Sequence, residues 1–257
     1  MKPKLEVCRV SYSYHSLDGE TPALSDISFT VHAGEFLAIV GPSGCGKSTL
    51  LSLLSGLAEP EEGKVLIDGM PLSQAQDSIG YMLQKDHLFP WRSVLSNVSL
   101  GLEIRRRLDQ DSRSHLLQML ETYGLDQFRD KRPSQLSGGM RQRAALIRTL
   151  ALNPDLLLLD EPFSALDYQT RLSVCDDISS IIREAHKTAL LVTHDLSEAI
   201  SVADRILVLS ARPAKVKGII PVVFDSPKAL SPMERRNAPE FSRYFNLIWK
   251  ELKSNAQ

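Results

Sequence analysis

Apolar and polar positions divide the chain into two kinds of stretch. Four short runs are apolar without a break, at residues 36–40 (FLAIV), 156–159 (LLLL), 189–192 (ALLV) and 206–209 (ILVL). Such runs fit strands buried on both faces, and the helical patterns between the last three predict a mostly parallel sheet covered on both sides. Near the start, residues 5–11 and 27–31 alternate apolar with polar, which predicts an antiparallel β layer interrupted by a polar, Gly- and Pro-containing stretch at 16–22. Two more strands are expected at KVLIDG (64–69) and SIGYMLQ (78–84), the second ending at Gln84. From Lys85 to about Leu152 the spacing turns helical: Leu116, Leu117, Leu120 and Tyr123 recur at helical intervals, and 141–150 reads as a further helix. The expected fold class is therefore α/β, with a mainly parallel core sheet, an N-terminal antiparallel β layer and an inserted helical subdomain at about 86–150. The main domain is expected to span 1–230, followed by a short helical extension at 231–257.

Between the strand at 36–40 and the helical pattern TLLSLLSGL lies GPSGCGKST, residues 41–49, which fits the Gly-x-x-x-x-Gly-Lys-[Ser/Thr] phosphate loop in its proper strand-to-helix context. Gly41, Gly44 and Gly46 lack the Cβ that would keep backbone N–H groups away from an anion, and the helix N-terminus adds partial positive charge. In such a loop Lys47 reaches the β and γ phosphates and the Ser48 hydroxyl ligates Mg²⁺, while Pro42, Ser43, Cys45 and Thr49 complete the cradle. A thiol at Cys45 among converging N–H groups is expected to be reactive; the alternative is that it fills a permissive position. The bland reading of the whole stretch is a Gly-rich turn. Kinases, GTPases and ATPases share this loop, so it names no function alone.

Five further constellations narrow the choice. LLLLDE ends a buried strand in two acids, with Asp160 suited to a Mg²⁺ shell and Glu161 to polarising a water, although a carboxylate pair there also suits a helix cap. LSGGMRQR puts Ser137, Gly138 and Gly139 directly before a helix, a second anion-binding terminus in one chain. LVTHD carries His194 past a strand end, where an imidazole reaches a γ-phosphate or serves structure only. Tyr12 and Tyr14 close the first strand, where an exposed ring stacks on a nucleobase or simply packs. Just after Gln84, Leu88, Phe89, Pro90 and Trp91 form an apolar cluster in a connection, fit either for a partner or for packing the helical block onto the core.

Composition excludes some partners. The formal net charge of −1 provides no overall basic field for nucleic acid or an anionic membrane surface. No apolar run approaches the roughly 18–20 residues that span a bilayer, and MKPKLEVCRV lacks the apolar core of a signal peptide, so a cytoplasmic setting is expected. The three cysteines, Cys8, Cys45 and Cys175, have no metal-ligand spacing and suit a reducing compartment.

Taken in order, GPSGCGKST, Gln84, LSGGM, LLLLDE, SALD (164–167) and His194 resemble the ATP-binding subunit of an ABC transporter over nearly the whole chain. The resemblance implies ATP and Mg²⁺ as cofactors and a head-to-tail pair of identical copies, each ATP lying between the phosphate loop of one and the SGG segment of the other. It assigns Tyr14 to adenine, Lys47, Ser48 and Thr49 to phosphates and metal, and Gln84 to the metal and attacking water. Asp160 supports Mg²⁺, Glu161 is the catalytic base, Ser137 to Gly139 and Asp167 belong to the shared site, and His194 holds the γ-phosphate. Met140 stands where that signature usually has Gln; the anion contacts do not depend on it. LSGGMRQR with FPWR (89–92), SARPAKVKG (210–218) and the tail narrows the resemblance to importers of nitrate, sulfonate and taurine type. This implies a permease docking near Phe89–Trp91, an extracytoplasmic solute-binding protein, a peripheral position on the cytoplasmic face of the membrane, and no nucleic-acid partner. ABC ATPases acting on nucleic acid or ribosomes are the alternative; their coiled-coil insertions and paired cassettes are not seen here.

Overall fold

Cross-strand pairing begins earlier and ends later than the apolar pattern suggests. In the computed structural model, which describes residues 2–17, 19–226, 228 and 230–253, β1 (Pro3–Ser16) and β2 (Gly19–His32) form one long antiparallel hairpin. The stretch at 16–22, expected as a break, is mostly strand: Tyr12 pairs with Leu24, Tyr14 with Thr21 and Ser16 with Gly19. The hairpin buries one face through Leu5, Val7, Val10, Ala23, Leu24, Ile27, Phe29 and Val31, while its tip, 14–17 and 19–22, is exposed. Exposed strand can pair without alternation, so the outer half left no period-2 signal.

Next come β3 (Phe36–Val40), α1 (Lys47–Leu54), β4 (Glu62–Ile67), β5 (Met70–Pro71), α2 (Leu72–Ala75) and β6 (Ile79–Met82). Strands β4 and β5 complete the antiparallel sheet in the order β2-β1-β4-β5. The helical block holds α3 (Val94–Val98), α4 (Leu100–Ile104), α5 (Gln110–Thr122) and α6 (Gly138–Leu150). After it run β7 (Leu156–Asp160), α7 (Tyr168–Glu184), β8 (Thr188–Val192), α8 (Leu196–Val202), β9 (Arg205–Leu209), β10 (Val216–Pro221), α9 (Pro232–Asn237) and α10 (Pro239–Lys253). The second sheet has the order β10-β9-β3-β8-β7-β6, parallel except where β10 meets β9.

Side-chain alternation assigns the faces of that sheet. Leu37, Ile39, Leu156, Leu158, Leu190, Val192, Leu207 and Leu209 share a core with the antiparallel layer and α1. Their neighbours Leu157, Leu159, Ala189 and Leu191 pack instead with the helical block and α7, and Ala38, Val40, Ile206 and Val208 with α8 and α10. Burial on both faces explains why these strands read as unbroken apolar runs. The helices at 232–253 are bound into this body: Ile248 is fully buried, and the Tyr244 hydroxyl accepts from Val223 N and donates to Val223 O. Residues 254–257 of the expected extension lie outside the described residues.

Behind the end of β8, Glu198 of α8 is buried, with Thr193 Oγ1 donating to its Oε2 at 2.6 Å and Arg171 Nε 3.9 Å from Oε1. Burial pushes this carboxyl up to about 7, against the opposing pull of the Thr193 hydroxyl and of Arg171, while the Asp195 charge adds to the rise. The folded form therefore keeps its proton to higher pH than the unfolded chain. The resulting stability is complete below the ordinary carboxyl value of 4.5 and is lost as pH rises through about 7. Relative to Glu198→Gln, the unfolding free energy of the native chain in urea should fall by on the order of 1 kcal/mol between pH 6 and 8.5; parallel pH profiles for the two proteins would contradict this. Ile248→Ala should cost about 2–4 kcal/mol in the same assay, as a fully buried aliphatic truncation, and a change below about 0.5 kcal/mol would mean that α10 does not share the core.

Candidate functional site

Parallel strands present their carboxyl ends at one edge, and there the loops leaving β3, β6, β7 and β8 converge. The phosphate loop comes first. Gly44 and Gly46 hold φ of +72° and +117°, in the left-handed region that favours glycine. A Cβ on Gly46 would also stand 2.9 Å from Leu24 Cδ2 and 3.1 Å from the Ala23 carbonyl oxygen, because β2 presses against the loop. Lys47 is buried, and its Nζ donates to Gly41 O at 2.9 Å and Pro42 O at 3.0 Å. Among the described residues no carboxylate lies within ion-pair distance of it. A buried ammonium whose hydrogen bonds go to neutral carbonyls, with no carboxylate in ion-pair distance, favours an anion in the loop.

Cys45 separates its two readings. Its side chain turns beneath the loop into the core, where a Cβ on Gly41 would come within 2.9 Å of its Sγ. Burial pushes the thiol up and outweighs the nearby Lys47 charge and N–H groups, which favours the second reading, a residue that fills a permissive position. Its backbone N–H donates to Pro42 O at 3.3 Å within the loop.

Asp160 ends β7 beneath this loop. Ser48 Oγ donates to its Oδ1 and the Tyr81 hydroxyl to its Oδ2, both at 3.4 Å. Burial pushes the Asp160 carboxyl up, opposed by those hydroxyls and by Lys47, and also raises the Tyr81 hydroxyl. Two hard oxygen ligands beside a phosphate loop fit Mg²⁺, which takes one or two protein ligands and completes its shell with phosphate and water. Gln84, expected at the metal as well, turns its amide elsewhere: Nε2 donates to Glu161 Oε2 and to Ser164 Oγ, each at 3.3 Å. Glu161 holds φ of +43°, a left-handed conformation that costs a non-glycine residue about 1–3 kcal/mol and recurs at functional sites. Its N–H donates to Val192 O at 2.9 Å, and His194 Nδ1 lies 3.0 Å from its Oε2.

Lys47, Ser48, Thr49, Glu161, His194 and Tyr14 line one cavity of about 500 Å³, with Ser43, Gly44, Gly46, Ala23 and Arg212. That volume suits a nucleotide. The tyrosine pair divides its roles: Tyr12 packs on the core, while Tyr14 is about half exposed at the cavity, its hydroxyl 2.8 Å from Thr49 Oγ1. The rings meet edge-on at 5.2 Å.

Ser137, Gly138, Gly139 and Asp167 do not join this cavity. Ser137 caps α6 by accepting from Met140 N, and Asp167 caps α7 by accepting from Thr170 N. Gly138 lines a different cavity, with Lys85, His87 and Leu166. A Cβ on Gly138 would stand 2.7 Å from Leu166 Cδ2, and one on Gly139 2.7 Å from Val174 Cγ2, so the two glycines allow α6 to start in close contact with α7 and the turn that precedes it. Met140 is partly buried against the helical core.

The connection after Gln84 is strapped to α6. Arg141 Nε donates to Asp86 Oδ2 at 3.1 Å, and Arg148 donates to the backbone oxygens of Asp86 and His87 at 2.6 and 2.8 Å. The amide of buried Asn97 both accepts from Phe89 N and donates to Phe89 O. Of the apolar cluster, Leu88 enters the core, Phe89 is half-buried, and Trp91 is 68 % exposed beside it, ring centroids 5.0 Å apart. Sequence reading missed Tyr81 and Arg212 at the site. Arg212 sits in SARPAKVKG, which carries no periodic signal because β10 mixes lysine, glycine and apolar residues.

The sequence matches the family model described as ABC transporter over residues 24–164. It is 50% identical to the uncharacterized ABC transporter ATP-binding protein YtlC of Bacillus subtilis, across 97% of this chain and 96% of that one. It is 38% identical to the nitrate import ATP-binding protein NrtD of Synechococcus elongatus (91% and 85% covered) and 37% identical to the aliphatic sulfonates import ATP-binding protein SsuB of Bacillus licheniformis (91% and 89%). Among solved structures it resembles the dimeric ATP-binding cassette MJ0796 bound to ADP and Pi, with TM-score 0.73 and 31% identity over 85% of this chain and 99% of that one. CbiO1 of Clostridium perfringens, part of an ABC transporter complex, matches with TM-score 0.76 and 27% identity over 98% of both chains. No helix among the described residues is long and apolar enough to cross a membrane. With the phosphate loop, the Asp160–Glu161 pair and His194 assembled at one sheet edge, and with relatives of this kind along its length, the chain belongs to the ABC transporter ATP-binding family of ATPases.

Proposed function

We propose that this ATPase powers an importer, driving uptake of a small solute such as nitrate, a sulfonate or taurine through a separate membrane permease. The observation that carries the hydrolytic reading is the convergence on Glu161. Gln84 Nε2 and His194 Nδ1, from the ends of β6 and β8, both approach its Oε2 beside the cavity that holds Lys47. With Oε2 engaged by those two groups, Oε1 is left to take a proton from a water attacking the γ-phosphate. Lys47 balances charge on the β and γ phosphate oxygens, and the loop amides fix their position. Ser48 and Asp160 would hold Mg²⁺, which supplies further neutralisation of phosphate charge.

The second anion-binding segment supports a head-to-tail dimer. Ser137 and the amides of Gly138 and Gly139 open a 13-residue helix away from the phosphate cavity of their own chain. A second copy turned head to tail would bring its phosphate loop to them, with Asp167 at the same contact; the dimeric cassette among the solved structures supports this arrangement. The nitrate and sulfonate import proteins among the relatives support a small solute of that kind; an extracytoplasmic solute-binding protein would deliver it. Trp91 and Phe89 form the permease contact in this reading, a few apolar anchors for a short helix, which keeps the subunit peripheral on the cytoplasmic face.

Glu161→Gln should keep ATP affinity while slowing turnover by a factor of order 10²–10⁴ and accumulating an ATP-bound dimer on size-exclusion chromatography. Near-normal turnover with the permease present would sink the assignment of the base. Trp91→Ala should leave nucleotide binding by the isolated subunit intact but weaken co-purification with the permease by about tenfold or more and uncouple ATP use from uptake into vesicles. Normal assembly and transport in that variant would make Trp91 an idle surface residue.

A further inference from the structure

The cavity lining includes a lysine and an arginine, Lys47 and Arg212, and only the first belongs to the phosphate loop. Arg212 lies in the connection between β9 and β10, far from that loop in sequence. Two carbonyls of β2 hold its guanidinium: Nε donates to Pro22 O at 2.9 Å and Nη2 to Thr21 O at 3.4 Å. Thus anchored, its Cζ stands 5.6 Å from the centroid of the Tyr14 ring. The Tyr14 hydroxyl in turn meets Thr49 in the first turn of α1. The tyrosine therefore bridges from the phosphate loop to the arginine, and Arg212 marks the end of the cavity beyond the phosphates.

We propose that Arg212 is a nucleoside-recognition residue of this chain, binding the base-and-ribose half of ATP together with Tyr14 while the phosphate loop binds the triphosphate. The inference rests on the reading that ATP occupies this cavity. A guanidinium is planar and weakly hydrated, so it lies against aromatic faces, including those of nucleobases, at little desolvation cost. Its two carbonyl anchors hold it in place before the nucleotide arrives, so little rotamer freedom is lost on binding. Nη1 takes neither of the anchoring bonds and remains available as a donor to a ring nitrogen or a ribose hydroxyl. Position at the nucleoside end, rather than charge alone, is what distinguishes this role from that of Lys47.

The test separates the two halves of the ligand. The full chain and its Arg212→Ala and Arg212→Gln variants are titrated with Mg-ATP and with Mg-tripolyphosphate, which has no base or ribose, each measured by displacement of a fluorescent ATP analogue. Both variants should bind ATP about tenfold more weakly, the weight of a desolvated cation–π contact, and should bind tripolyphosphate within twofold of the native chain. Unchanged ATP affinity in both variants overturns the proposal. So does an equal loss for ATP and tripolyphosphate, which would assign Arg212 to the field around the phosphates or to loop structure. If thermal melting shows that Arg212→Ala fails to fold, Arg212→Gln decides, since it keeps a donor for the Pro22 carbonyl while losing the charged plane over Tyr14. Failure of the native chain to bind ATP at all would instead remove the nucleotide reading on which the inference stands.

Discussion

Parallel pairing of β6, β7, β8 and β3 is the constraint on which the remaining structure depends. Its register sets Met82 against Leu159, Asp160 against Val192, and Val192 against Ile39, so four strands end almost level. Residues that follow those ends by one or two positions must meet: Gln84 after β6, Glu161 after β7, His194 after β8 and Gly41 after β3. No local sequence preference could assemble a carboxylate, an amide and an imidazole drawn from positions 84 to 194. The sheet does so because all four strands point the same way. Burial of both faces then makes that sheet hard to distort, since every inward residue on either side is packed.

Much of this was legible in the chain because buried parallel strands and phosphate loops leave strong local marks. The apolar runs at 36–40, 156–159, 189–192 and 206–209 all became strands, and the loop between β3 and α1 lies where its glycines and lysine indicate. The placement of Gly41, Glu161 and His194 just past those runs was readable for the same reason, since it follows from strand ends. The outer half of the hairpin was not readable, because exposed strands such as the one carrying Tyr14 need no alternation to pair. β10 was missed because an edge strand with lysine and glycine has no apolar signature.

Other features depended on contacts between distant segments. Cys45 looked reactive by its position in the loop, yet a packed core beneath the loop claims its sulfur. Gly138 and Gly139 looked like anion ligands only; their lack of a Cβ is also demanded by Leu166 and Val174, which the sequence places 28 and 35 positions further on (166 − 138 and 174 − 139). Arg212 reaches the site only because β10 folds back beside β9 and leaves the preceding turn facing β2. In each case the deciding interaction was tertiary.

The strap between α6 and the segment after Gln84 has a mechanical consequence. Asp86 and His87 are clasped by two arginines from one helix, and Phe89 is clasped at both its N–H and carbonyl by buried Asn97. Slack that an ordinary loop of this length would contain is thereby removed. The piece from Gln84 to Trp91 acts as a short stiff beam, its inner end bonded to the carboxylate of Glu161 and its outer end carrying an exposed indole. Displacing this segment therefore requires either breaking those bonds or moving α6 with it.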